Sequence, residues 1–88
     1  MLEKLNMILS NCVDNHIKIA ISMDIQGNYI GIGSFYIFDL KCYDNMIYIE
    51  TENCSSIEIH DIESVEYDEM ENEYCIKNNV MDMNICIF

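Results

Sequence analysis

Hydrophobic residues change their spacing once along this chain, from a helical period to an extended one. Leu2, Leu5, Ile8, Leu9, Cys12 and Val13 recur at intervals of three and four, which places them on one stripe of an amphipathic helix. Asn15 can adopt a left-handed conformation and close that helix, so its expected span is 2–14. From Ile17 the period is two: Ile17, Ile19, Ile21, Met23 and Ile25 point one way, while Lys18, Ala20, Ser22 and Asp24 point the other. Gln26-Gly27-Asn28 carries the residues of a short hairpin turn, so the strand that begins at Tyr29 is expected to return antiparallel beside the first.

That second strand, Tyr29 to Phe38, is apolar on both faces and reads as buried, with Gly31 and Gly33 marking a bulge or sharp bend in its first half. Asp44-Asn45 turns the chain into a third strand, Met46 to Glu52, where Ile47, Ile49 and Thr51 alternate with Tyr48, Glu50 and Glu52; Asn53 to Ser56 makes the next turn. Ile57 and Ile59 keep strand alternation, Ile59, Ile62 and Val65 step by three as one helical turn would, and Val65 and Tyr67 alternate again. Asp68 to Asn72 is a charged turn, Glu73 to Lys77 a strand, Asn78-Asn79 a turn, and Met81, Met83, Ile85 and Ile87 a closing strand. The expected fold class is mainly β with one N-terminal α-helix. One domain spans 1–88, with five to six strands in a small antiparallel, strongly bent sheet or barrel over 17–88. A twisted open sheet with the helix packed on one face satisfies the same periodicity.

The N-terminal helix, the glycine-bearing second strand and the strand-turn-strand run of Ile57 to Tyr67 resemble the small barrels of the Sm-like and SH3-like kind. That resemblance implies a barrel in which the second strand serves two faces. Sm-like proteins that bind RNA carry Asn, Asp, Gly and Arg positions in two loops; this chain has no arginine and no copy of those loops, so RNA binding is not implied.

Charge narrows the function classes. The 88 residues carry a formal charge of −12, from 16 acids against Lys4, Lys18, Lys41 and Lys77, which argues against direct contact with phosphate backbones. Apolar residues make up 51% of the chain, enough for an ordered core despite the charge. Met1-Leu2-Glu3-Lys4 shows no secretory signal, and the apolar run Tyr29 to Phe38 is too short for a membrane span, so a cytoplasmic location is expected, without membrane contact. An Ile/Asn/Lys-rich composition without Arg or Pro is what AT-rich codons favour, as in low-GC bacteria and their phages.

Candidate chemistry is sparse. Cys12, Cys42, Cys54, Cys75 and Cys86 are odd in number and widely spaced, which fits reduced thiols in a cytosolic protein and offers no zinc-ligand pair. The acidic run lacks the Asp-x-Asp-x-Asp-Gly spacing of a calcium loop. His60-Asp61 has no nucleophile nearby, and His16 sits where a histidine caps a helix C-terminus. No catalytic residue, metal or cofactor is expected.

The acids themselves are the informative feature. Glu50, Glu52, Glu58, Asp61, Glu63, Glu66, Asp68, Glu69, Glu71 and Glu73 follow one another without an intervening Lys or Arg, and Tyr48, Tyr67 and Tyr74 are interleaved among them. Such a field repels nucleic acid and attracts a basic surface, and tyrosines beside it supply contact area. The expectation is a non-enzymatic inhibitor that imitates phosphates in the basic groove of a nuclease or other nucleic-acid-binding effector. In size and charge the chain is similar to small phage inhibitors of the anti-CRISPR type, and to immunity proteins and antitoxins. The competing expectation is an adaptor or structural module that forms a homodimer through an exposed sheet edge and uses its acids for solubility.

Overall fold

A computed structural model describes residues 2–88, as one helix and eight strands in two antiparallel sheets. Helix α1 spans Leu2–Asp14, as the apolar stripe predicts, and buries Leu5, Leu9 and Cys12. It ends in a Schellman motif: the backbone N–H of Ile17 donates to Cys12 O at 2.9 Å and that of His16 to Val13 O at 3.4 Å. The left-handed residue is therefore His16 (φ 53), one position beyond the Asn15 expected. Because Ile17 is held in this cap, the first strand starts later than its alternation suggests.

Strands β1 (Ile19–Ile25), β2 (Asn28–Phe35), β6 (Ser64–Asp68), β7 (Glu73–Lys77) and β8 (Met81–Ile87) form one sheet in the order β2-β1-β8-β7-β6. Strands β3 (Ile37–Tyr43), β4 (Met46–Thr51) and β5 (Ser56–Ile59) form the other, in the order β3-β4-β5. The first and last strands are neighbours, and Phe88 N donates to Lys18 O at 3.1 Å beyond the end of their ladder. The two sheets stay separate, so no barrel closes.

Two corrections concern the second predicted strand. It is two strands, divided at Tyr36, with β2 in the larger sheet and β3 in the smaller. Its first half is also exposed: β2 is an edge strand, and no residue from Asn28 to Ser34 is buried. An unbroken apolar run has no alternation to distinguish a covered strand from a bare one. The glycines do mark a bulge, since β1 pairs Ile21 with Gly33 and Ser22 with Gly31, leaving Ile32 without a partner. Gly33 takes φ +120, a conformation side chains rarely adopt.

The hairpin turns follow local chemistry. Asp44 and Asn45, both with positive φ, join β3 to β4, and Gln26-Gly27 joins β1 to β2 with Gly27 N donating to Asp24 Oδ1 at 2.9 Å. Residues 60–63 carry the chain from the smaller sheet to the larger without the helical turn that the step of three predicts. Asp61 instead bends the chain in a left-handed conformation (φ 53), Ile62 N donates to Asn45 O and Glu63 N to Lys77 O. The spacing of three nonetheless has a packing cause, because Ile59 and Ile62 are buried in the core and Val65 packs against it.

That core lies between the sheets and under α1, which packs against β3. Ile19, Ile21, Tyr74, Ile76, Met83 and Ile85 enter it from the larger sheet, and Ile37, Ile47, Ile49 and Ile59 from the smaller. Each fully buried isoleucine contributes about 1.5 to 3 kcal/mol of transfer free energy, opposed by the chain's conformational entropy. Alternation along each strand then sends the intervening polar residues outward.

Candidate protein-binding surface

The ten acids of the 50–73 region divide between the outer faces of two sheets and the loops that flank them. On β4, Ile47, Ile49 and Thr51 point into the core, so Tyr48 and Glu50 point out; on β5, Glu58 stands directly across from Tyr48. Tyr48 Oη donates to Glu50 Oε1 at 3.2 Å, and Lys41 Nζ stands 5.6 Å from the Tyr48 ring centroid. Burial first, then the bond to and charge of Glu50, with Asp39 and Glu58 beyond, hold the Tyr48 phenol above its ordinary range. It is therefore a neutral donor in an acidic setting.

The denser group is the β6–β7 hairpin. Glu66 and Asp68 lie on the outward side of β6, Asp68 is directly opposite Glu73 on β7, and Glu69 and Glu71 occupy the connecting turn. Like charges directly opposite one another across a ladder are destabilising. Other bonds hold this turn: Tyr67 Oη donates to Asn72 Oδ1 at 2.9 Å, Asn72 Nδ2 to Ile87 O at 3.0 Å, and Met70 N to Asp68 Oδ1 at 3.0 Å. Met70 is 95% exposed among these acids.

The remaining acids stand apart. Glu52, in the β4–β5 turn, lies 2.9 Å from His16 Nε2, and Glu58 lies 3.2 Å from His60 Nε2. Asp61 and Glu63 are exposed in the crossover between sheets. Glu50 and Glu58 thus share one sheet face with Tyr48, whereas Glu66, Asp68 and Glu73 share another, since β5 and β6 belong to different sheets.

Of the three tyrosines expected at the surface, Tyr74 is misplaced by the sequence reading. It is only 4% exposed, because β7 turns Tyr74 and Ile76 inward and Glu73, Cys75 and Lys77 outward. Its ring packs against Tyr67 with centroids 4.6 Å apart, and burial, then the neighbouring phenol, raises its pKa. Tyr67 reaches the surface but is committed to the hairpin turn, and Tyr48 is the tyrosine set among outward carboxylates.

Asp39, outside the acidic window, pairs with Glu50 across β3 and β4 and extends the carboxylates of that face. The Asp39-Leu40-Lys41-Cys42 alternation, which lies outside the strands expected from the sequence, is the signal that could have found it. Met70 was visible only as one apolar residue in a charged turn.

Among the described residues no lysine nitrogen comes within 4.0 Å of a carboxylate oxygen, and the acids with an imidazole nitrogen within that distance are Glu52 and Glu58. Two of the four lysines, Lys18 and Lys41, lie over tyrosine rings. Among these residues no three His, Cys, Asp or Glu side chains gather as metal ligands would. Among the described residues the acidic surface thus has no lysine within contact distance, and its two close partners are histidines, which are neutral in the formal charge of −12. No protein-family model matches this chain, nor does any curated protein or solved structure.

Proposed function

We propose that the protein is a non-enzymatic inhibitor that occupies the basic groove of a nuclease or similar nucleic-acid-processing protein in place of the phosphate backbone. The observation that carries this reading is the uncompensated charge: Glu66, Asp68, Glu69, Glu71 and Glu73 crowd one hairpin, two of them facing each other across its ladder, with no lysine in contact. Such repulsion costs stability. A cationic partner relieves it and converts it into attraction.

The spacing supports the same reading. Alternate residues on one face of a strand stand about 6.6 to 6.8 Å apart, comparable with successive phosphates on a nucleic-acid strand, and Glu66 and Asp68 are so related. Met70 at the turn provides a flexible apolar contact, and Tyr48 with Glu50 and Glu58 forms a second acidic face on the smaller sheet. A partner of this kind places the protein in the cytoplasm; no helix among the described residues is long and apolar enough to cross a membrane.

The test is capture of a basic nucleic-acid enzyme from lysate at low salt, followed by kinetics with the purified pair. Duplex or single-stranded DNA should compete, the enzyme should lose activity, and association should slow steeply as salt rises through the range where the Debye length contracts. Binding that ignores both salt and DNA would refute the proposal.

A further inference from the structure

Strand β2 is unlike every other edge of the molecule. It pairs with β1 alone, and Tyr29, Ile30 and Ile32 are 74, 45 and 38% exposed. From Ile25 through Phe38 the sequence holds no Asp, Glu, Lys or Arg. The remaining edges carry charge: Glu66 and Asp68 on β6, Asp39 and Lys41 on β3, Glu58 on β5. Free edges are normally blunted by such charges, because an open row of N–H and C=O groups is a template for another strand.

The hairpin fixes which backbone groups are open. Gln26 (φ 51) and Gly27 (φ 84) form a two-residue turn, and such a turn closes on a hydrogen-bonded pair, here Ile25 with Asn28. Bonded and non-bonded pairs alternate in an antiparallel ladder, so Met23 with Ile30 is the next bonded pair. The N–H and C=O groups of Tyr29 and Gly31 therefore point away from β1. The bulge at Ile32 ends this regular stretch.

We propose that this edge pairs antiparallel with the same edge of a second copy of the chain, about a twofold axis at Ile30, so that two five-stranded sheets become one. In that register Tyr29 of each copy stands opposite Gly31 of the other, and each of these two pairs exchanges two N–H···O=C bonds using the groups that β1 leaves free. Ile30 stands opposite Ile30.

Two features select a second copy over a foreign strand. The edge is complementary to itself: the register sets the largest side chain against the residue with none, and a ring covering an edge glycine is a known stabilising pair in sheets. In the free chain the Tyr29 ring lies over its own Gly31, its nearest atoms 3.6 Å from where a Cβ there would sit, so a tyrosine ring and a bare glycine already fit each other on this face of the strand. Charge points to the same occupant. Two chains of −12 repel one another, and β2 is the edge at which they can meet without placing carboxylate against carboxylate, whereas a basic partner is drawn to the acidic faces.

Sedimentation equilibrium of the full chain tests this. A reversible monomer–dimer equilibrium is expected, strengthened by added salt because screening reduces the repulsion between copies; capture of a basic partner responds to salt with the opposite sign, so the two proposals fail separately. Tyr29→Glu and Gly31→Pro, the first adding charge and the second removing an edge N–H, should each raise the concentration needed for dimerisation by about tenfold or more, with unchanged circular dichroism. If Gly31→Pro disturbs the fold, Tyr29→Glu at its exposed site decides. For the register, Ile30→Cys should form an interchain disulfide under mild oxidant, since directly opposed residues of a non-bonded pair lie about 4.5 Å apart at Cα. Ser34→Cys should not, and the parent chain with its exposed Cys54 is the control. A strict monomer at the highest soluble concentration, a dimer indifferent to both edge variants, or cross-linking at Ser34 in preference to Ile30 would each overturn the proposal.

Discussion

The imidazole of His16 lies flat on the phenol ring of Tyr36, with centroids 3.9 Å apart and planes 16° from parallel. His16 is the left-handed residue that ends α1, and Tyr36 is the residue at which the chain leaves the larger sheet for the smaller. Lys18 Nζ stands 5.5 Å from the same ring centroid. Glu52 completes the joint: its carboxylate lies 2.9 Å from His16 Nε2, and its backbone N–H donates to Tyr36 O at 3.1 Å. Helix end, strand hinge and β4–β5 turn are thereby tied at one place.

A double-mutant cycle on His16→Ala and Tyr36→Leu should give a coupling of about 0.5 to 1.5 kcal/mol, the range for stacked aromatic pairs. Chemical denaturation of the four proteins measures it. Additive losses would mean that the rings touch without contributing to the joint.

Thr51, buried at the end of β4, ties the same turn from within. Its hydroxyl accepts the N–H of Ser55 at 3.1 Å and also bonds Asn53 Oδ1, while its own N–H donates to Ser55 O at 2.8 Å. Thr51→Val keeps the shape and removes the acceptor of the Ser55 N–H in an exposed turn, so a loss of about 0.5 to 1.5 kcal/mol is expected. The thermal midpoint reports it, and a neutral result would show that water satisfies the amide instead.

The turn chemistry and the strand alternation were legible from one sequence because each is local: Gln26-Gly27 and Asp44-Asn45 specify their hairpins whatever surrounds them. Alternation likewise identified Ile47, Ile49 and Thr51 as inward and Tyr48 and Glu50 as outward. What the sequence left hidden depends on partners distant along the chain. Whether the run from Tyr29 to Phe38 is covered turns on which strand lies beyond it, and at β2 none does. Glu58 and Glu66 lie on strands consecutive along the chain yet join different sheets, because the crossover at Asp61 to Glu63 separates them. Tyr74 looked like a contact residue among acids, although its own strand parity, read from Glu73 to Lys77, already turned it inward.

Alkaline pH should weaken the fold. Burial raises the pKa of the Cys12 and Cys42 thiols above the ordinary 9.0 and of the Tyr74 phenol above 10.0, with the Tyr67 ring adding to the last. A folded-state pKa above the unfolded one means that the unfolded chain releases its protons first. Stability contributed by these groups is therefore complete below the unfolded values and declines as pH rises through the folded ones. Unfolding free energy should fall from about pH 9 upward, and Tyr74→Phe should flatten the part of the decline above pH 10. An identical decline in the Phe variant would remove Tyr74 from the cause.

The acidic hairpin allows stability and recognition to be separated in one variant. Asp68 and Glu73 face each other across the β6–β7 ladder, so Asp68→Asn, which keeps an acceptor for the Met70 N–H, should remove the repulsion and raise stability by about 0.2 to 1 kcal/mol. Added salt should raise the stability of the parent chain by the same mechanism and that of Asp68→Asn by less. Against a captured basic partner the same change should slow association with little effect on dissociation, because a rim charge steers encounter more than it holds the complex. Ile76→Ala is the contrasting case: Ile76 is fully buried at the base of this hairpin, and opening a cavity there should cost about 2 to 5 kcal/mol while leaving the association rate of the folded fraction unchanged. Denaturation curves and association kinetics on the two variants separate them: stability should move in opposite directions, and the association rate should change in Asp68→Asn alone. Should Asp68→Asn gain stability yet bind with parent kinetics, the hairpin acids lie outside the docking surface, and the outer face of the smaller sheet, with Tyr48, Glu50 and Glu58, becomes the surface to test.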